Sequence, residues 1–273
     1  PIGELLELAT DALEDGRYTE SPRVEAAVRS AVGQMSFDLG LLDRAEENLR
    51  IAAMTWSAAE GPASERAADA RAGVGKVLVE AGRPAEAEPI LREALERQRA
   101  VHGEVDPRTI ATVAALGAAL ETAGRPAEAI KLYRSVEEKA VAAHGAGHQD
   151  VLTLANNLAT ALYIQGRFDE ALPILDKALR GCRESLGNDH PDTITAISNL
   201  ASVCESVGDY ERATALYEEA FATAQRVLGD DHPRTLTAAN NTAFIYERTA
   251  QEEDAERLYR DTLESRRRVL GER

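Results

Sequence analysis

Apolar residues return at helical spacing in paired stretches, and short polar turns holding glycine separate them. From Asp150 to Gln165, Leu154, Leu158 and Leu162 lie on one helix face. Gly166 follows, and glycine suits the left-handed residue that ends a helix. A second stretch, Phe168 to Glu184, carries Ala171, Leu175 and Ala178 on one stripe. The pattern predicts two helices joined at Gly166. Ile2 to Glu14 reads as a shorter amphipathic helix, assigned over 2–15, and Gly16 to Ser21 as a loop.

The paired stretch recurs. VHGEVDPRT, AHGAGHQDV, SLGNDHPDT and VLGDDHPRT begin at Val101, Ala143, Ser185 and Val227, in steps of 42 residues. Gly40, Gly82, Gly124, Gly166 and Gly208 follow the same step, with Ala250 in the sixth place. So do Ala45, Ala87, Ala129, Ala171, Ala213 and Ala255. A further small-residue column runs Gly33, Gly75, Gly117, Ala159, Ala201 and Ala243, and another runs Ala52, Ala94, Val136, Ala178, Ala220 and Thr262. Aligned columns of this kind mark a repeat architecture. The units run 22–63, 64–105, 106–147, 148–189, 190–231 and 232–273, within one domain spanning 1–273. Small residues such as Ala159 and Ala171 let two helices approach closely; a leucine there is expected to cost about 1–3 kcal/mol by overpacking. In the connector LGNDHPDT, Gly187 stops one helix, Asp189 or His190 caps the next, and Pro191 sits in its first turn. Asp192 favours the positive end of that helix.

Composition agrees with helices: Ala, Leu and Glu dominate and aromatics make up only 4 %. No run is apolar enough to span a membrane. The net charge of −16 disfavours nucleic acid and anionic lipid and favours basic partners, besides keeping a long array soluble. Cys182 and Cys204 do not make a disulfide framework, which fits a reducing compartment. The chain is expected to be cytoplasmic, or extracytoplasmic if it follows a membrane span in a longer protein. It opens on Pro1 and stops at VLGER, where the pattern next requires a His-Pro connector, so an excised segment with a further repeat is expected.

The glycine, alanine and aromatic placements resemble the tetratricopeptide repeat family. The 42-residue step, LGxDHPxT connectors and LANNLA-type helices are similar to its kinesin-light-chain subgroup. The resemblance covers nearly the whole chain. It implies an all-α, right-handed superhelical solenoid of six helix pairs behind an N-terminal capping helix, acting as a protein- or peptide-binding scaffold. GELLELATDAL and the stretch SPRVEAAVRSAVGQMSFDLGLLDRAEENL also resemble the start of the repeat region of some large bacterial serine/threonine kinases. That likeness implies the alternative of a regulatory or sensor segment in a larger signalling protein.

In that family the first helix of each pair lines the concave face. Carried over, the groove columns hold Asn156, Ser198 and Asn240; Asn157, Asn199 and Asn241; and Thr160, Ser202 and Phe244. An asparagine amide both donates and accepts, so a ladder of them can hold an extended backbone without reading its sequence. The alternative is that the asparagines join neighbouring helices. Earlier repeats carry Ala31, Gly73 and Ala115 in the asparagine column, which confines the polar floor to the C-terminal half. The next turn bears Asp38, Glu80, Glu121, Glu205 and Glu247, with Tyr163 in the fourth copy: an acidic groove edge, or ordinary solvated surface. Lys76 stands alone, so the carboxylate clamp of chaperone-binding relatives is not expected.

His148, His190 and His232 recur one per repeat, too far apart to share an ion, and read as connector residues. Cys204 falls on a core column, and Trp56 is expected to pack against the N-terminal helix. Phosphate-loop, zinc-protease and nucleophile-elbow motifs are missing, and Gly73-Val-Gly75 lies inside a helix. The chain is therefore expected to be no enzyme, to need no cofactor or metal, and to bind a basic protein or extended peptide.

Overall fold

A computed structural model describes residues 2–61, 63–145 and 147–270. Thirteen helices and no strands are present among the described residues. They are α1 (Ile2–Glu14), α2 (Pro22–Asp38), α3 (Leu42–Glu60), α4 (Glu65–Glu80), α5 (Pro84–His102), α6 (Pro107–Thr122), α7 (Pro126–His144), α8 (Gln149–Ile164), α9 (Phe168–Ser185), α10 (Pro191–Ser206), α11 (Tyr210–Leu228), α12 (Pro233–Arg248) and α13 (Glu252–Leu270). From α2 onward the helices form six pairs, an all-α repeat solenoid. Two compact units divide the chain, residues 1–139 and 140–273.

Local chemistry sets the helix ends. Gly40, Gly82, Gly124, Gly166 and Gly208 have φ between 68° and 84° and close the first helix of each pair. Ala250 holds the same place at φ 58° despite its Cβ. At the connectors the cap is a side chain. His148, His190 and His232 each accept, through Nδ1, the backbone N–H two residues on, at 3.4, 3.2 and 3.1 Å. Asp106 does the same for Arg108 at 2.9 Å. Of the two candidates in the fourth connector, His190 is therefore the cap.

Packing within each pair follows the small-residue columns. Ala45, Ala87, Ala129, Ala171 and Ala213 are wholly buried. Gly33, Gly75 and Gly117 face the side chain sixteen residues on. A Cβ on them would lie 2.6 Å from Leu49, 2.4 Å from Leu91 and 2.1 Å from Tyr133. The close approach thus seats one large side chain of the second helix over each glycine of the first.

Trp56 corrects an expectation. It lies not against α1 but in a cluster with Ala26, Ala52, Ala53, Ala67 and Ala70 of α2, α3 and α4. Its indole N–H donates to Ser30 Oγ at 3.3 Å, and the Arg66 guanidinium lies 4.7 Å over the ring. The small side chains around it leave the volume an indole needs. Leu6 and Leu13 of α1 instead meet Val32, with Val28, Met35 and Tyr18 at the margin.

Ion pairs tie successive repeats. Arg83 reaches Glu46 at 2.6 Å, and Arg125 reaches Glu88 at 2.8 Å. Arg226 and Arg268 reach Asp189 and Asp231 at 2.7 Å. Burial would raise the Glu46 carboxyl, but hydrogen bonds from Arg50 and Arg83 hold it below its ordinary value. The last two pairs are exposed and the first two half-buried, so each contributes modestly to stability.

Candidate functional site

The first helices α8, α10 and α12 bury one face and leave another open. Leu154, Leu158, Ile197, Leu200 and Ile245 point into the core. Asn156, Asn157, Ser198, Asn199, Asn240 and Asn241 are half-buried at its border, as are Ser202 and Glu205. Thr160, Tyr163, Phe244 and Glu247 are exposed.

Five of these twelve residues meet. A hollow of about 220 Å³ opens between α8 and α10. Asn156, Thr160 and Tyr163 line it from α8, and Asn199 and Ser202 from α10. Ala159, Leu175 and Val203 form its apolar part. Asn157, Ser198, Glu205, Asn240, Asn241, Phe244 and Glu247 lie outside it. The pairing crosses the sequence columns: Asn156 meets Asn199, not its own equivalent Ser198. Neighbouring helices present opposite flanks to each other, so the facing residues are out of step with the repeat.

Asn156 Oδ1 is buried and accepts no hydrogen bond. A buried amide oxygen without a donor costs on the order of 1–3 kcal/mol. The hydroxyls of Thr160 and Ser198 turn back to the carbonyls of Asn156 and Ile194, at 2.9 and 3.0 Å.

The acidic column has a partner that sequence reasoning missed. Tyr133 Oη donates to Glu121 Oε1 at 2.8 Å. Tyr217 and Tyr259 make the same contact with Glu205 and Glu247, each at 3.4 Å. The hydroxyls of Ser202 and Tyr217 also share a bond of 2.8 Å. Burial, and then the Glu205 carboxylate, push the Tyr217 phenol up to about 12 against the opposing effect of the bond with Ser202. Burial raises Glu121 despite the bond from Tyr133. The signal for these pairs was a fixed spacing of twelve between Glu and Tyr. In the fourth repeat that pair is replaced by Tyr163 and Leu175. Both line the hollow, where Tyr163 stands edge-on to Phe168 with ring centres 5.5 Å apart. Leucine in place of tyrosine removes the ring and hydroxyl that the fifth repeat has at this level.

Another hollow, of about 290 Å³, borders α11, α12 and α13. Phe221, Gln225, Asp230, Leu258 and Asp261 line it, with Arg268, whose guanidinium is held by Asp231. Gln225, Thr262 and Arg268 are hydrogen-bonded there, to Asp230, Leu258 and Ser265, whereas Thr235 Oγ1 is buried without a partner. Both thiols are buried, and burial pushes that of Cys182 up to about 11. Among the described residues no helix is long and apolar enough to cross a membrane.

Comparison with known proteins bears on this architecture. No curated protein sequence matches the chain. Among solved structures, a protein of Podosopora anserina classed as a kinesin light chain with nearly identical TPR-like repeats is 21 % identical. It superposes with a TM-score of 0.66, over 74 % of this chain and 95 % of that one. BtubC (BKLC) from P. vanneervenii is 19 % identical, with a TM-score of 0.66 over 93 % of this chain and 94 % of that one. A Rap protein complexed with Competence and Sporulation Factor is 15 % identical, with a TM-score of 0.64 over 99 % of this chain and 81 % of that one. These likenesses concern the fold. The sequence model of the tetratricopeptide repeat matches residues 24–100, 73–140, 150–225 and 194–268, and the chain belongs to the tetratricopeptide repeat family.

Proposed function

We propose that the chain is a binding scaffold without catalysis of its own, and that it takes an extended, basic segment of another protein along the open side of α8, α10 and α12. The observation that carries this reading is the hollow that brings Asn156 and Asn199 together, with Tyr163 among its lining. An amide pair supplies donors and acceptors for a peptide backbone, and the exposed aromatic supplies apolar area. The net charge of −16 and the carboxylates of Glu205 and Glu247 support a basic ligand. The Rap neighbour, described with a bound factor, supports this use of the architecture.

A partner recovered by pull-down, or a peptide selected from a library, tests the reading by titration calorimetry. Each peptide hydrogen bond from Asn157, Asn199 and Asn241 is expected to contribute about 0.5–1.5 kcal/mol. Replacing all three by Ala is then expected to weaken binding by roughly ten- to a thousand-fold, allowing for non-additivity. Asn156→Ala separates the hollow from the ladder. Affinity should fall as salt rises. Unchanged affinity with an intact fold would place the site elsewhere; loss of folding would assign the asparagines to joining helices.

A further inference from the structure

We propose that Glu65, Asp69 and His102 form a site for a divalent transition ion of the zinc class, with the Arg108 guanidinium as its competitor. Glu65 and Asp69 are one turn apart on α4, so both carboxylates share a face. His102 ends α5, and one ligand atom from each of the three lies within 4.8 Å of the others. A tetrahedral ion with bonds near 2 Å sets its ligand atoms roughly 3.3 Å apart. His102 Nε2 and Glu65 Oε1 are 3.2 Å apart.

The imidazole is the second, independent observation. Its side chain is only 9 % exposed, and its buried Nε2 faces Glu65 Oε1 without the alignment of a hydrogen bond. Arg108 sets the tautomer. A guanidinium only donates, and it lies 3.0 Å from His102 Nδ1. Nδ1 therefore accepts, and the ring proton sits on Nε2. The same guanidinium reaches Glu65 at 2.6 Å and Asp69 at 3.6 Å, in the midst of the three groups. A bound ion reverses the ring: the Nε2 lone pair faces the metal and Nδ1 carries the proton. Arg108 keeps Asp106, at 3.0 Å, when it withdraws. Gln98 donates to Asp69 at 2.8 Å and orients that carboxylate. One imidazole and two carboxylates suit zinc better than magnesium or calcium, which take six or more oxygens. Lys76, whose ammonium interacts with Asp69, limits the affinity.

The test is calorimetric titration of the chelator-treated chain with zinc chloride and, separately, magnesium chloride. One equivalent of zinc and no magnesium is expected to bind. Arg108→Ala should bind zinc at least about tenfold tighter, and His102→Ala and Asp69→Asn at least about tenfold weaker. Circular dichroism checks that each variant is folded, and Asp69→Asn decides if His102→Ala is not. His144 and His148, whose rings lie 4.9 Å apart, are the rival ligands. His144→Ala should leave the zinc equivalent unchanged. Zinc bound only by Arg108→Ala would show that the native guanidinium fills the place of the ion and would overturn the proposal for the native chain. Zinc bound by neither the native chain nor Arg108→Ala overturns the proposal, as does binding that survives Asp69→Asn and vanishes in His144→Ala.

Discussion

The Tyr133 hydroxyl donates to Glu121 at 2.8 Å from a ring seated over Gly117, so one residue joins the packing of a helix pair to an acid on its open side. Glu121 is raised by burial, and the bond from Tyr133 offsets that only in part. A carboxyl raised on folding is protonated more readily in the folded chain. Its burial therefore costs stability above the raised value, and the cost is relieved as pH falls through it. Glu121→Gln keeps an acceptor for Tyr133 and buries no charge. Its urea midpoint should exceed the native one at neutral pH, and the difference should shrink towards acid. A midpoint unchanged at every pH would contradict the burial of this charge. Glu46, Glu88 and Asp106, held low by arginine partners, act in the opposite sense: their contribution is present above the ordinary carboxylate range and lost as pH falls.

Gly117 has no room for a side chain. A Cβ there would lie 2.1 Å from the Tyr133 ring, so Gly117→Ala should destabilise by about 1–3 kcal/mol through overpacking. Adding Tyr133→Leu should recover part of that loss, because Ala159 and Leu175 already form this pair in the fourth repeat. Denaturant unfolding of the single and double variants checks this.

His190 caps α10 through Nδ1, as Asp106 caps α6 through its carboxylate. His190→Ala should lose about 0.5–2 kcal/mol, and His190→Asp should restore most of it. Equal stability of all three chains would show that the cap contributes nothing.

Much of the fold was legible in the sequence because its parts are local. Glycine at a helix end and a capping residue before proline act within a few residues, and the 42-residue step repeats them. What was not legible depended on which flank a side chain takes. The asparagine columns follow the repeat, yet the hollow joins Asn156 to Asn199 across them. That a tyrosine on the partner helix engages each of Glu121, Glu205 and Glu247 showed in the sequence only as a spacing of twelve, which the glutamate column by itself does not reveal. The sequence pattern placed Trp56 against α1, whereas the alanines of α2, α3 and α4 make the space that holds it.

The proposed function requires a peptide on the open side of α8, α10 and α12. Hydrogen–deuterium exchange of the chain with and without a selected basic peptide tests it most directly. Slowed exchange at the exposed ends of these helices, around Tyr163, Glu205 and Phe244, with α9, α11 and α13 unaffected, is the predicted result. Slowed exchange confined to α9, α11 and α13 would contradict it.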